Sequence, residues 1–266
     1  MYIIFVATFY KVILIFMTSN TPTVPQPSFE DAVLATPVFV VNMDKCKDRL
    51  ELSQKRIAEA GFTNVFRWKA VDAREDNLNE AWKRHGSPTF NPSDTEFVTY
   101  PGKQGCMLSH LDIWKHMIDH EIPIAIIFED DVEFHQAWAA LAPKYYEATP
   151  KNFDILYFGS QMEMATNANI TRVPVFCTHA YMITLAGARN LYSLLLTDPR
   201  GVSTIDCMLI DYMNRAMMGV PCPFEWYVWN ARMFPDPRAS LSKDWVKRNH
   251  GLVFQDVELG TFVRPW

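Results

Sequence analysis

Four carboxylates fall within five residues, at Glu129, Asp130, Asp131 and Glu133. Crowded together they repel one another, and a bound cation removes most of that cost. Hard oxygen donors suit Mg²⁺ or Mn²⁺, above all where a substrate diphosphate completes an octahedron. In extended backbone residues i and i+2 point the same way, so Glu129 and Asp131 can share a task while Asp130 faces elsewhere. The competing reading is a solvated turn in which Asp131 or Glu133 caps a following helix. His116 and His120 stand four apart and mimic a metal pair, but no third ligand lies near them in sequence. Solvent-facing histidines are the simpler reading.

The cluster follows directly on Ile124–Phe128, a run apolar enough to be a buried strand. In open α/β sheets ligands bind beyond the carboxyl ends of the strands, which is where this cluster falls. Other strands are expected at Val38–Val41, at Val65–Trp68 closing through Ala70-Val71-Asp72, at Phe153–Phe158 and at Ala180–Thr184. Helices are expected from a cap at Asp44 to Gly61, over Gly105–Glu121, Ala186–Leu196 and Ser203–Met218, with a short one at 76–85 inside a loop-rich stretch. The alternation of strands and helices implies an α/β sandwich around a largely parallel sheet.

The chain has 266 residues, 49% hydrophobic and 21% charged, which suits one soluble globular domain. A net charge of −5 argues against nucleic acid, whose phosphates need a basic footprint. No G-x-G-x-x-G, Walker loop, H-E-x-x-H or G-x-S-x-G is present, so the common dinucleotide, nucleotide-hydrolysing, zinc-protease and serine-hydrolase readings lose their main support. Five cysteines without CxxC spacing read as free, mostly buried thiols. Tyr2–Met17 is apolar but interrupted by Lys11, and shorter than the roughly 20 residues of a spanning helix. Membrane contact is expected only if residues 2–17 form an anchor; an alternative start at Met17 would make them dispensable. Residues 18–36 are rich in Thr, Ser and Pro and read as a linker, with the folded unit beginning at Pro37.

Three segments in order carry a resemblance: Val41-Asn42 with Arg49, Gly105-Cys106-Met107-Leu108-Ser109-His110 with Trp114, and Phe128-Glu129-Asp130-Asp131. Together they resemble glycosyltransferase family 25, which contains bacterial lipooligosaccharide and collagen galactosyltransferases. Thr178-His179-Ala180-Tyr181 followed by Gly187-Ala188-Arg189 is similar to the family's later strand–helix step. The chain departs from the family at Ala73, where glycine is usual after the aspartate, and its last residues carry no ER-retention tetrapeptide. Residues 220–266 match nothing in the family, and acceptor specificity is expected there.

The resemblance implies a GT-A-like (Rossmann-like) α/β fold. It also implies transfer of a hexose, most often galactose, from a UDP-sugar to a glycan or hydroxylated protein acceptor, assisted by Mn²⁺ or Mg²⁺ and with inversion. Asp131 and Glu129 would hold the metal, with His179, or alternatively His250, completing its shell. Asn42, Arg49, Asp72, Ser109 and Asp130 would line the UDP-sugar site, with Ser109 and His110 near the amides that open the long helix. Inversion needs a base for the acceptor hydroxyl. Asp206 is first choice, with His110 also in a catalytic role and Asp211 and His179 as alternatives. Asp206 also fits a capping box beginning at Ser203. Asn169-Ile170-Thr171 is a glycosylation sequon, meaningful only in a secretory compartment. A non-catalytic sugar- or protein-binding homologue is the alternative function.

Overall fold

The computed structural model describes residues 28–161, 166–240, 250–256 and 259, so the apolar segment 2–17 and most of the linker lie outside the described residues. A π-helical turn, Glu30–Leu34, opens the described chain. It is followed by β1 (Val38–Asn42), α1 (Lys47–Glu59), β2 (Val65–Lys69), α2 (Leu78–Lys83), α3 (Thr95–Thr99) and α4 (Pro101–Asp119). The middle of the chain forms β3 (Ile124–Glu129), β4 (Val132–Phe134), α5 (Trp138–Ala148), β5 (Ile155–Tyr157), β6 (Gly159–Ser160) and β7 (Ile170–Thr171). Then come β8 (Ala180–Thr184), α6 (Leu185–Leu196), α7 (Ile205–Met217), β9 (Trp226–Trp229), β10 (His250–Gly251) and β11 (Val253–Gln255).

Seven strands make the central sheet in the order β2-β1-β3-β8-β5-β9-β7. Five run one way, while β8 and β7 run against their neighbours. This is the α/β sandwich with a mostly parallel sheet that the sequence pattern predicts. Strand alternation divides the apolar side chains between two cores. Phe39, Val41, Ala125, Ile127, Tyr181 and Ile183 face a core shared with Trp114 of α4, Leu191 of α6 and Leu209 of α7. Val38, Val40, Ile126, Phe128, Ala180 and Met182 face the other, with Ile57 of α1 and Trp138 and Tyr145 of α5. Two minor ladders, β4 with β11 and β6 with β10, bring the C-terminal residues back beside the end of β3.

Several boundaries differ from the sequence reading, each for a local reason. Folded packing begins before Pro37, because Phe29 and Val33 are buried in the second core. Asp44 does not cap α1; Cys46 stands at that position, and Asp44 pairs with Arg67 (2.5 Å) and Lys69 (2.9 Å) on β2. Helix α4 starts at Pro101 rather than Gly105, with proline in the first turn where its missing N–H costs nothing. Ser109 and His110 are therefore mid-helix, away from the free amides of its first turn. Gly105 lies within it because α4 presses on the loop after β2: a Cβ there would stand 2.6 Å from the Val71 carbonyl oxygen. No helix follows Asp131 directly; the chain continues into β4, so neither Asp131 nor Glu133 is a helix cap. Among the described residues no helix is long and apolar enough to cross a membrane.

Candidate active site

The carboxyl ends of β1, β2 and β3, the inner face of α4 and the start of α7 enclose a cleft of about 950 Å³. Nine of the ten sequence-predicted site residues line it: Asn42, Arg49, Asp72, Ser109, His110, Glu129, Asp130, Asp131 and Asp206. His179 does not.

Glu129 continues the face of Ala125 and Ile127 on β3, which sets it against α4. There His110 Nε2 stands 3.5 Å from Glu129 Oε1. Gln255 of β11 brings one amide nitrogen within 3.4 Å of Glu129 Oε2 and 3.4 Å of Asp131 Oδ2, so the two carboxylates converge on a common point. Arg49 from α1 reaches both Asp130 and, at 3.2 Å, Asp131.

Burial, and then the neighbouring Glu129 charge, push Asp131 up to about 8 against the pull of Arg49. Burial works against Glu129 too, but His110, His179 and Thr178 outweigh it and hold that carboxyl below its usual range. Two adjacent carboxylates that cannot both ionise comfortably are a donor pair suited to a divalent cation. The residues present thus fit the metal site expected at Glu129 and Asp131.

Several predicted ligand-contacting residues are already engaged. Asn42 donates from Nδ2 to Asp130 (2.6 Å) and to the Cys46 carbonyl (2.9 Å), and its Oδ1 accepts from Arg67 (3.1 Å). It fixes Asp130 rather than offering a free group to the cleft. Ser109 donates to the Gly105 carbonyl (2.7 Å) and accepts from Val71 N–H (2.9 Å), which pins the loop after β2 to α4. Asp72, at the tip of that loop, is paired with Lys45. His110 belongs to a buried chain in which its Nδ1 lies 2.8 Å from Tyr181 Oη, and that oxygen accepts from Trp114 Nε1–H at 2.9 Å.

The expected third metal ligand, His179, does not line the cleft, although it lies near enough to act on the Glu129 charge. Its Nε2–H donates to the Val253 carbonyl at 3.1 Å, and the residue is fully buried. The histidine that faces Glu129 is His110. Asp211 is also outside, paired with Arg200 at 2.5 Å on the far side of α7. Asp206 enters the cleft from the first turn of α7, with burial raising it above the usual carboxylate range. The capping box proposed there does not form: Ser203 and Thr204 hydroxyls both turn to Asp94. His120 is exposed and His116 packs against Trp68, so the pair makes no metal site.

Sequence reasoning missed Lys45, Arg74, Lys103, Cys106, Thr178 and Gln255, all of which line the cleft. Arg74 could have been found from its place two residues after Asp72 in the loop that follows β2. Cys106 and His110 stand four apart on a helix, a spacing that puts both on one face. Gln255 carried no signal, being brought in by a three-residue strand 124 residues beyond Asp131. All five cysteines are free, but Cys207 is exposed, Cys46 is buried and the other three are half-buried.

The family signature of glycosyltransferase family 25 (LPS biosynthesis protein) matches residues 35–173, just over half of the chain. The chain belongs to glycosyltransferase family 25. Among its family 25 relatives is procollagen galactosyltransferase 2 of Mus musculus, 26% identical over 189 residues, which covers 66% of this chain and 30% of that protein. The Homo sapiens protein of the same name is 24% identical over 62% of this chain and 28% of its own length. A third relative is named inactive glycosyltransferase 25 family member 3 of Homo sapiens, 30% identical over 58% of this chain and 28% of that protein. The chain thus spans under a third of the length of these relatives. A solved glycosyltransferase involved in glycosylation of the major capsid of PBCV-1 superposes with a TM-score of 0.44 at 10% identity, over 85% of this chain and 94% of that one. Mouse xyloside xylosyltransferase 1 gives 0.44 at 12% identity, over 83% and 97%.

Proposed function

We propose that this family 25 chain transfers a hexose, galactose first among the candidates, from a UDP-sugar to a hydroxyl of a glycan or hydroxylated protein. The observation that carries the reading is the convergence of Glu129 and Asp131 on a single amide of Gln255, at a strand end inside a cleft large enough for a nucleotide sugar. Glu129 and Asp131 would hold Mn²⁺ or Mg²⁺, which when bound supplies Lewis acidity to the departing diphosphate. Lys45, Arg74 and Lys103 add positive charge to the same cleft wall, where a diphosphate gains from it. Asn42 and Arg49 hold Asp130 in place, and Ser109 fixes the loop that carries Asp72.

Asp206 is the base in this reading. It reaches the cleft from α7, a different element from the β3 carboxylates, and burial raises its affinity for protons, which favours accepting one from an acceptor hydroxyl. Attack on the face opposite the leaving UDP then inverts the anomeric centre. Asp206→Asn should keep donor binding while transfer falls by about 100-fold or more, the scale of general-base contributions. Transfer at the parent rate in that variant would remove Asp206 from the role. The relatives named inactive favour a second reading, a sugar-binding homologue without turnover. Donor binding with no product from any hydroxyl acceptor would select it.

A further inference from the structure

We propose that the cleft contains a second cation site, formed by Cys106, His110 and Glu129, that takes a thiophilic metal such as Zn²⁺. The ligand atoms of these three residues all lie within 4.8 Å of one another. Cys106 and His110 are i, i+4 on α4 and so share a face, and Glu129 meets that face from the end of β3.

A second observation points to a ligand. His110 Nε2 is buried, makes no hydrogen bond, and is aimed at Glu129 Oε1 at 3.5 Å. Its ring is otherwise held through Nδ1 and Tyr181 Oη, the outer contact that metal-bound histidines use to fix their orientation. In a tetrahedral zinc site, bonds of about 2.0–2.2 Å to nitrogen and oxygen place those two ligand atoms about 3.3–3.5 Å apart. The observed separation matches that spacing.

The donor set differs in kind from the pair at Glu129 and Asp131. Thiolate and imidazole select zinc and its neighbours, whereas carboxylates alone suit Mn²⁺ and Mg²⁺. Three protein ligands leave a fourth position open to the cleft, which Cys106 lines. On binding, the Cys106 thiol gives its proton to buffer and its sulfur coordinates the metal. Glu129 is common to both sites but through different oxygens, Oε1 toward His110 and Oε2 toward Gln255 and Asp131.

The test uses the full chain, stripped of metal and kept reduced with a phosphine. Co²⁺ is titrated first, read by the near-ultraviolet thiolate-to-cobalt charge-transfer band, and Zn²⁺ is then used to displace it. The expected result is one equivalent with the band present. The band is lost in Cys106→Ser, with Zn²⁺ dissociation constants raised more than about tenfold, and kept in Asp131→Asn and in the Cys177→Ser/Cys207→Ser double variant. X-ray absorption of the zinc-loaded parent protein should show one sulfur ligand, a readout that needs no variant to fold. No charge-transfer band, a band that survives Cys106→Ser, or a zinc shell without sulfur would overturn the site. Since the readouts are spectroscopic, they stand apart from whether the protein transfers a sugar.

Discussion

Asp131→Asn should stabilise the metal-free protein at neutral pH and abolish its stabilisation by Mn²⁺. An unfolded aspartate ionises near 3.9, whereas folded Asp131 is pushed up to about 8 by burial and by Glu129. Between those values the folded chain retains a proton that the unfolded chain has lost. Stability therefore falls as pH rises, by up to about 1.4 kcal/mol per unit. At pH 7 the interval is about three units, which sets a ceiling near ~4 kcal/mol. The side chain is only 9% exposed, so solvent screening takes little from this figure. The asparagine escapes the penalty but gives up the contact that the largely protonated carboxyl makes with Arg49, and a net gain of about 2 kcal/mol at pH 7 is expected.

Urea unfolding in chelator at pH 4, 5.5, 7 and 8 provides the assay, with the parent and variant compared at each step. The two curves should coincide near pH 4 and diverge steadily above it. In Mn²⁺ the order should reverse, with the parent gaining about 2.7 kcal/mol at a hundredfold excess over its dissociation constant and the variant gaining nothing. A variant that is less stable than the parent in chelator at pH 8, or a difference independent of pH, would refute the claim that these carboxylates are held in mutual repulsion.

Two further outcomes follow from the geometry. Tyr181→Phe removes the oxygen that accepts from Trp114 and meets His110 Nδ1, leaving two buried groups unpaired; a loss of about 2–4 kcal/mol in urea unfolding is expected, and a change below about 0.5 kcal/mol would contradict the network. Gly105→Ala places a Cβ against the Val71 carbonyl, so it should cost about 1–3 kcal/mol of stability and weaken UDP binding by more than about tenfold by displacing the Asp72 loop; unchanged UDP affinity in calorimetry would show that the loop does not shape the nucleotide site.

How much of this was legible in the sequence depends on the length of the signal. Ile124–Phe128 and Ala180–Thr184 are continuous apolar runs, and both are strands at the centre of the sheet. Ala186–Leu196 shows helical spacing, and α6 runs from Leu185 to Leu196. Elements of two to four residues, such as β4, β6, β7, β10 and β11, are too short to show a period and exist because long-range pairing completes them. Helix α5 was hidden by Pro143, which reads as a breaker but sits inside the helix. Within the site, the acidic cluster was readable by residue type, whereas Asp206 was singled out through the family resemblance. The commitment of Asn42, Ser109 and Arg49 to neighbouring side chains was not, because it depends on contacts between separate elements. His179 was expected at the metal because it adjoins the motif in sequence, whereas its imidazole is engaged by the Val253 carbonyl and does not line the cleft.

The central claim is that Glu129 and Asp131 form a cation-dependent nucleotide-sugar site. Calorimetry of the chain with UDP-galactose, UDP-glucose and UDP, each with Mn²⁺ and with chelator, alongside Asp131→Ala, tests it most directly. The account predicts binding that requires Mn²⁺, is tightest for UDP-galactose among the two sugars, and is lost in the variant. Folded protein that binds none of the three in Mn²⁺, or binds them equally well in chelator and in Asp131→Ala, would contradict it.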